Sequence, residues 1–253
     1  MINLMKDYLR KTQMHLFTDL YLELKNYYNN IEVGPQQSYI FAKGEIPVVL
    51  VAHLDMVFDP KSRHTMAIFY DKEQQVMWSP DGLGTDDRAG VVMIMWLLKH
   101  SQLRPHILFT TDEETNLRGA QLAALRLKIY PNFVIELDRQ GSGESVFYNC
   151  DNKDFEDYIN GFGFHTCRGS YTDISILCPE WGCAGVNLSV GYYDEHSYVE
   201  YWSADDFLYT YDRVFNILEN CQNHKVNTKF KYIPKKRKRR NNYGSWCERK
   251  GSN

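Results

Sequence analysis

No stretch of the 253 residues approaches the roughly eighteen consecutive apolar residues that a membrane-spanning helix requires. Residues 1–30 are rich in Tyr, Lys and Glu, with no apolar core of signal-peptide type and no small-residue cleavage site. The chain therefore reads as an unexported, cytoplasmic protein with no membrane partner. Cysteine is sparse and scattered: Cys150, Cys167, Cys178, Cys183, Cys221 and Cys247 form no Cys-x-x-Cys pair, so neither a thiolate zinc site nor a disulfide framework is spelled out. Reduced thiols are the simpler reading, and no internal repeat is visible.

A hydrophobic content of 43% is enough to bury the core of one large domain, taken as residues 1–224. From residue 225 the hydrophobic periodicity gives way to Lys, Arg, Asn, Gly and Ser, so 225–253 reads as a disordered basic tail. The formal charge of −3 hides this division: six of the 29 basic residues lie in 235–240, and the remaining 23 face 32 acidic ones. The basic run has the composition of a nuclear-import signal or a nucleic-acid contact. With no aromatic residue interleaved and an acidic body beside it, a solvated tail is the simpler reading.

Within the body, continuous apolar runs at 47–52, 107–110 and 133–137 predict buried strands, and 184–190 a further one. The apolar run 89–100 is too long for a strand and predicts a buried helix. Helices are also expected at 1–30, 117–128 and 204–220, an edge hairpin around 34–43 and peripheral strands within 69–78. Strands alternating with helices imply an α/β fold, a mixed, mostly parallel twisted sheet with helices on both faces. In such sheets ligands bind beyond the carboxyl ends of the strands.

Five clusters of acids and histidines fall at those ends: His53-Leu-Asp55, Asp86-Asp87, Asp112-Glu-Glu114, Glu136-Leu-Asp138 and Asp194-Glu-His196. Each alone is an ordinary turn or helix cap. Converging on one sheet edge, they would repel one another unless cations neutralised them. His53 and Asp55, two apart in an extended segment, point the same way, so the carboxylate can hold the imidazole that binds a metal. Asp86 suits a carboxylate shared between two metals, an arrangement with ions about 3.5 to 4 Å apart. Adjacent glutamates in an irregular turn can diverge, one to a metal and one to a water as general base. The other histidines, His15, His64, His100, His106, His165 and His224, lack ligand-like company and read as structural or surface.

The ordered set His53-x-Asp55, Gly84-Thr-Asp-Asp-Arg-Ala-Gly90, Glu113-Glu114 with Gly119-Ala120, a strand-terminal acid and His196-Ser-x-x-Glu200 resembles the zinc-dependent exopeptidases. That family includes peptidase T, glutamyl aminopeptidases, carboxypeptidase G-like enzymes and bacterial leucyl aminopeptidases. The resemblance spans 148 residues and rests on the whole series. It implies two divalent ions, zinc or in its place cobalt or manganese, with Asp86 as the bridge. His53 and Asp138 complete one site, Glu114 and His196 the other. Glu113 becomes the general acid and base, and Asp55 the residue that orients His53. In the family the peptide after the bridging Asp is commonly cis.

Two departures stand out. Asn116 occupies a position where the family often has Gly. Glu136 and Asp138 share strand parity, and Asp138 is preferred as the ligand because it lies at the strand end. The segment Gly169-Ser-Tyr-Thr-Asp-Ile-Ser175 resembles one that lines the site in relatives, making Tyr171, Asp173 and Asn187 candidates for holding substrate, with Asp173 for a free α-amino group. Gaps of about thirty residues after Asp55 and after Asp138 are too short for the lid or dimerisation domain that many relatives insert. The expected activity is metal-dependent amide hydrolysis by an aminopeptidase or other exopeptidase acting on peptides or N-acyl amino acids. An N-acyl amino acid deacylase, or a catalytically silent metal-binding member acting as a binding or regulatory protein, are the alternatives.

Overall fold

The computed structural model describes residues 1–58, 60–223 and 228–236. The chain opens with two helices, α1 (Ile2–Leu9) and α2 (Gln13–Leu24), where the sequence predicts one. The break comes at Thr12, whose hydroxyl accepts the His15 amide at 3.3 Å and restarts the helix. A large sheet follows, built from β1 (Ile31–Val33), β2 (Tyr39–Ala42), β3 (Ile46–His53), β6 (Pro105–Thr110), β7 (Phe133–Arg139), β8 (Glu144–Val146), β9 (His165–Thr166) and β10 (Gly185–Ser189). Its order is β1-β2-β6-β3-β7-β10-β8-β9. The central strands β6, β3, β7 and β10 are mutually parallel; β1, β2 and β8 join antiparallel. A second, antiparallel sheet takes the order β11-β12-β5-β4, from β4 (Phe69–Asp71), β5 (Val76–Trp78), β11 (Tyr192–Tyr193) and β12 (Tyr201–Ser203).

Strands that are apolar at every position need cover on both faces. In β3, Val48, Leu50 and Ala52 join one buried cluster while Val49 and Val51 join the other. The first cluster is roofed by α1, α2, α3 (Thr85–His100) and α8 (Ala204–Asn223). The second is covered by α5 (Arg118–Arg126) and α7 (Ile174–Trp181). Helix α3 is apolar all round, with Val91, Val92, Met93 and Ile94 fully buried, because it runs between the sheet and helices α1 and α8. Between Asp55 and Asp86 the chain forms the β4–β5 hairpin, and between Asp138 and Gly169 it forms β8, α6 (Lys153–Asn160) and β9. Among the described residues neither gap holds an inserted domain.

Residues 228–236 do not behave as the disordered tail expected from residue 225. Phe230 accepts the Ala184 amide at 2.7 Å and donates its own to Asn132 at 2.9 Å, and Asp151 donates to Ile233 at 2.6 Å. The Phe230 ring is 8% exposed and lies 5.0 Å from the ring of Phe155 and 6.0 Å from that of Phe133. A single well-placed aromatic plus backbone pairing anchors a segment whose composition alone reads as unfolded. Lys235 and Lys236 are described; 237–253, which carry the rest of the basic run, lie outside the described residues, as do the import and nucleic-acid expectations attached to it. No described helix is long and apolar enough to cross a membrane. Phe230→Ala should cost about 3 kcal/mol or more, read as a lowered denaturant midpoint with an unchanged slope. A loss under about 1 kcal/mol would mean that the segment does not anchor the core.

Candidate metal centre

Register brings the chemistry together. His53 ends β3 opposite Thr110, and Glu136 on β7 pairs with Val51 on one side and Asn187 on the other. The residues that follow these strands therefore share one edge. Asp86 stands at the centre: its Oδ1 lies 3.1 Å from His53 Nε2 and its Oδ2 lies 3.0 Å from His196 Nε2. Around His53, Asp138 Oδ1 approaches Nε2 at 3.6 Å; around His196, Glu114 Oε1 approaches Nε2 at 2.8 Å. Two three-donor sets result, His53/Asp86/Asp138 and Asp86/Glu114/His196, each with its donor atoms within 4.8 Å of one another. Mixed imidazole and carboxylate donors with one shared carboxylate fit a pair of divalent ions of the zinc type.

The backbone around this edge is held by polar groups that the spacing does not reveal. Asp55 contacts His53 Nδ1 at 3.3 Å, off the line of a proper hydrogen bond. Its two oxygens also accept the amides of Glu113 at 3.0 Å and Glu114 at 2.9 Å, so it fixes α4 (Glu113–Asn116). Asp87, fully buried, accepts the His53 amide at 3.2 Å and the Gly90 amide at 2.9 Å. Glu200 accepts the amides of Gly84 at 2.9 Å and Thr85 at 2.6 Å, pinning the turn before Asp86. Asn187 closes both ends of its amide on the Asp138 backbone, with Oδ1 accepting from N at 2.9 Å and Nδ2 donating to O at 2.7 Å. The Asp86–Asp87 peptide is cis, as the resemblance leads one to expect. The left-handed residues flanking the glutamate turn are Asp112 and Leu117; Asn116, where the family often has Gly, is not one of them. Gly119 is needed there because a Cβ would meet Ser38 O at 2.6 Å.

The N-terminal helices tie into this assembly. Arg63 donates to Leu9 O at 3.2 Å, Arg88 to Lys11 O at 3.0 Å, and Gln13 to Asp112 Oδ1 at 3.1 Å. Three segments that carry or precede site residues are thus fastened to residues 9–13.

A cleft of about 140 Å³ opens above the donors, and Glu113, Glu195, Arg139, Tyr148, Tyr171 and Tyr192 help to line it. Of the residues expected to touch substrate, Tyr171 does line it, half exposed. Asp173 and Asn187 do not: both are buried beneath the floor, Asp173 accepting the Thr110 hydroxyl and Asn187 clamping Asp138. Their side chains point into the sheet end instead of the solvent side. Glu136, the alternative to Asp138, is buried one layer down, where its carboxyl group lies 3.0 Å from the Thr172 hydroxyl.

Crowding of like charges shows in the acid strengths. Burial and the Asp86 charge push Asp138 up to about 7, and burial with the charges of Asp138 and Asp173 pushes Glu113 up to about 8. Burial drives Glu136 and Asp87 well above the usual carboxylate range. Hydrogen bonds to Asp86 and Glu114 carry His196 up to about 11, and His196 and His53 together hold Asp86 below its ordinary value against the effect of burial.

No family model and no curated protein matches the sequence. Solved structures do match. A tripeptidase from Staphylococcus aureus is 13% identical over 86% of this chain and 96% of its own, with a TM-score of 0.69. Aminopeptidase PepT from Bacillus cereus is 14% identical over 87% and 98%, with a TM-score of 0.64. The chain has the fold of these peptidases. A TET aminopeptidase from a marine-sediment Thaumarchaeota archaeon has it too, at 13% identity over 86% and 96% and a TM-score of 0.67. On this peptidase fold the donor sets sit at the carboxyl ends of β3, β6 and β7, where open parallel sheets place their ligands.

The raised acids set a pH dependence. Unfolded carboxyls ionise near pH 4, whereas Asp138 and Glu113 keep protons to about 7 and about 8 in the fold. Between those limits the folded state binds more protons, so stability falls as pH rises. The raised histidine His196 extends the fall toward its own value of about 11. With chelator present, thermal unfolding followed from pH 4 to 8 should show a falling midpoint. A midpoint that rises across that window contradicts the crowding.

Proposed function

We propose that the protein is a co-catalytic dizinc exopeptidase acting as an aminopeptidase on short peptides. The observation that carries this reading is the single carboxylate of Asp86 presenting one oxygen to each of two imidazoles, each of which has a further carboxylate at hand. His53 and Asp138 would hold one ion, Glu114 and His196 the other, with Asp86 between them. Ions bound there supply Lewis acidity toward the scissile carbonyl and acidify the attacking water.

The chain's own contribution is placement and proton traffic. Glu113 lies in the cleft while its neighbour Glu114 turns to His196, the divergence made possible by the left-handed Asp112 and the two amides held by Asp55. With the neighbouring acid charges offset by bound ions, Glu113 would take a proton from the attacking water and return it to the leaving amine. Tyr192 donates to Asp138 Oδ1 at 3.1 Å and Thr172 to its Oδ2 at 3.1 Å, which fixes the carboxylate plane. The acidic rim, with Glu195 beside His196, suits a free α-ammonium, and the names of the fold neighbours, tripeptidase and aminopeptidase, point the same way.

A panel of di- and tripeptides, their N-acetylated counterparts and N-acyl amino acids, run with Zn, Co and Mn, tests the reading. Unblocked peptides should be cleaved from the amino end and blocked ones spared. Glu113→Gln should lower kcat by about 10² to 10⁴ with metal content unchanged, whereas Asp86→Asn should lower metal content as well. Turnover of the N-acyl substrates alone would make the protein a deacylase, and a fully active Glu113→Gln would remove the mechanism.

A further inference from the structure

Beside this centre, on the outermost strands β8 and β9 of the large sheet, three further metal-ligating side chains of different types converge. Strands β8 and β9 pair in parallel with Glu144 opposite His165, and the ladder continues as the Cys167 amide donates to Ser145 O at 2.9 Å. His165 and Cys167 are two apart on extended backbone, so both point to the face that Glu144 occupies on the neighbouring strand. One donor atom from each of Glu144, His165 and Cys167 lies within 4.8 Å of the other two. None of the three touches the Asp86 centre. Sequence spacing hides the set, because its members sit on two strands and read singly as a surface histidine, an isolated thiol and a surface acid.

We infer that Glu144, His165 and Cys167 form a separate site for a single zinc-type divalent ion. Thiolate, imidazole and carboxylate are the donors zinc takes, and three of them leave a fourth position for water. Donors around tetrahedral zinc stand about 3.3 to 3.8 Å apart, so binding needs only a modest inward turn of the exposed His165 and the part-exposed Cys167. Binding replaces the thiol proton of Cys167 with the metal and releases that proton to water. Burial and the adjoining Glu144 charge hold the Cys167 thiol above its usual range, which keeps it protonated until an ion arrives. Arg139, which lines the cleft, donates to Glu144 Oε2 at 2.9 Å. The ion therefore competes for a carboxylate that anchors a cleft residue.

Cadmium is the probe, because its thiolate charge-transfer absorbance reports a cysteine ligand and the Asp86 centre contains none. Full-length protein titrated with Cd²⁺ should develop that ultraviolet band and saturate at one thiolate-bound ion per chain. Cys167→Ser should abolish the band, and His165→Ala and Glu144→Gln should weaken Cd²⁺ binding at least about tenfold. His165 is exposed and outside the cleft, so His165→Ala should keep its peptidase activity and decides the matter even if Cys167→Ser fails to fold. No band in the wild type, a band that survives Cys167→Ser on another thiol, or unchanged affinity in His165→Ala would each overturn the site.

Discussion

Negative charge packed at the end of one sheet is the constraint on which the rest of the structure depends. Asp55, Asp86, Asp87, Glu113, Glu136, Asp138 and Asp173 lie within a region where most side chains are buried or nearly so. Carboxylates so placed cannot all ionise without compensation, since each faces both lost hydration and its neighbours' fields. Compensation is arranged in two tiers. Asp86, with an imidazole on each oxygen, is held ionised, while Glu136 and Asp87, set deeper, are pushed toward the neutral form. The outcome is a graded set of acids.

Several of these acids act on the backbone. Asp55, Asp87 and Glu200 each accept two main-chain amides, and Asn187 grips both sides of one residue. Turns and strand ends expose such amides, and leaving them buried without partners would cost about 1 to 3 kcal/mol each. The same bonds therefore satisfy the backbone and set the direction of the donor side chains. Asp55 links the two functions, since it touches His53 and fixes the glutamate turn. Glu113, Glu195 and Tyr171 line the cleft, whereas Asp173 and Asn187 are buried.

Fasteners near the two ends of the described residues complete the scaffold. Residues 9–13 accept or exchange hydrogen bonds with Arg63, Arg88 and Asp112, and residues 228–235 pair with the segments around Asn132, Asn149 and Gly182. Within the described residues the cleft stands open above the sheet edge, and its rim is drawn from loops of the same domain.

The five clusters of acids and histidines were legible in the sequence because strand and helix periodicity placed each at an element boundary, while their division into two donor sets came from the resemblance. Parity decided that His53 and Asp55 share a side, and strand-end position favoured Asp138 over Glu136. Other features had no local signal. That Glu200 pins the turn before Asp86, that Phe230 anchors a basic-looking segment, and that Glu144 meets His165 and Cys167 all depend on partners far apart in the chain. Sequence by itself thus determined which acids and histidines are present and along which elements, since side-chain type and period are local properties. Only the tertiary structure decided which oxygens face the cleft and which turn inward to hold amides, because strand register and burial set that choice.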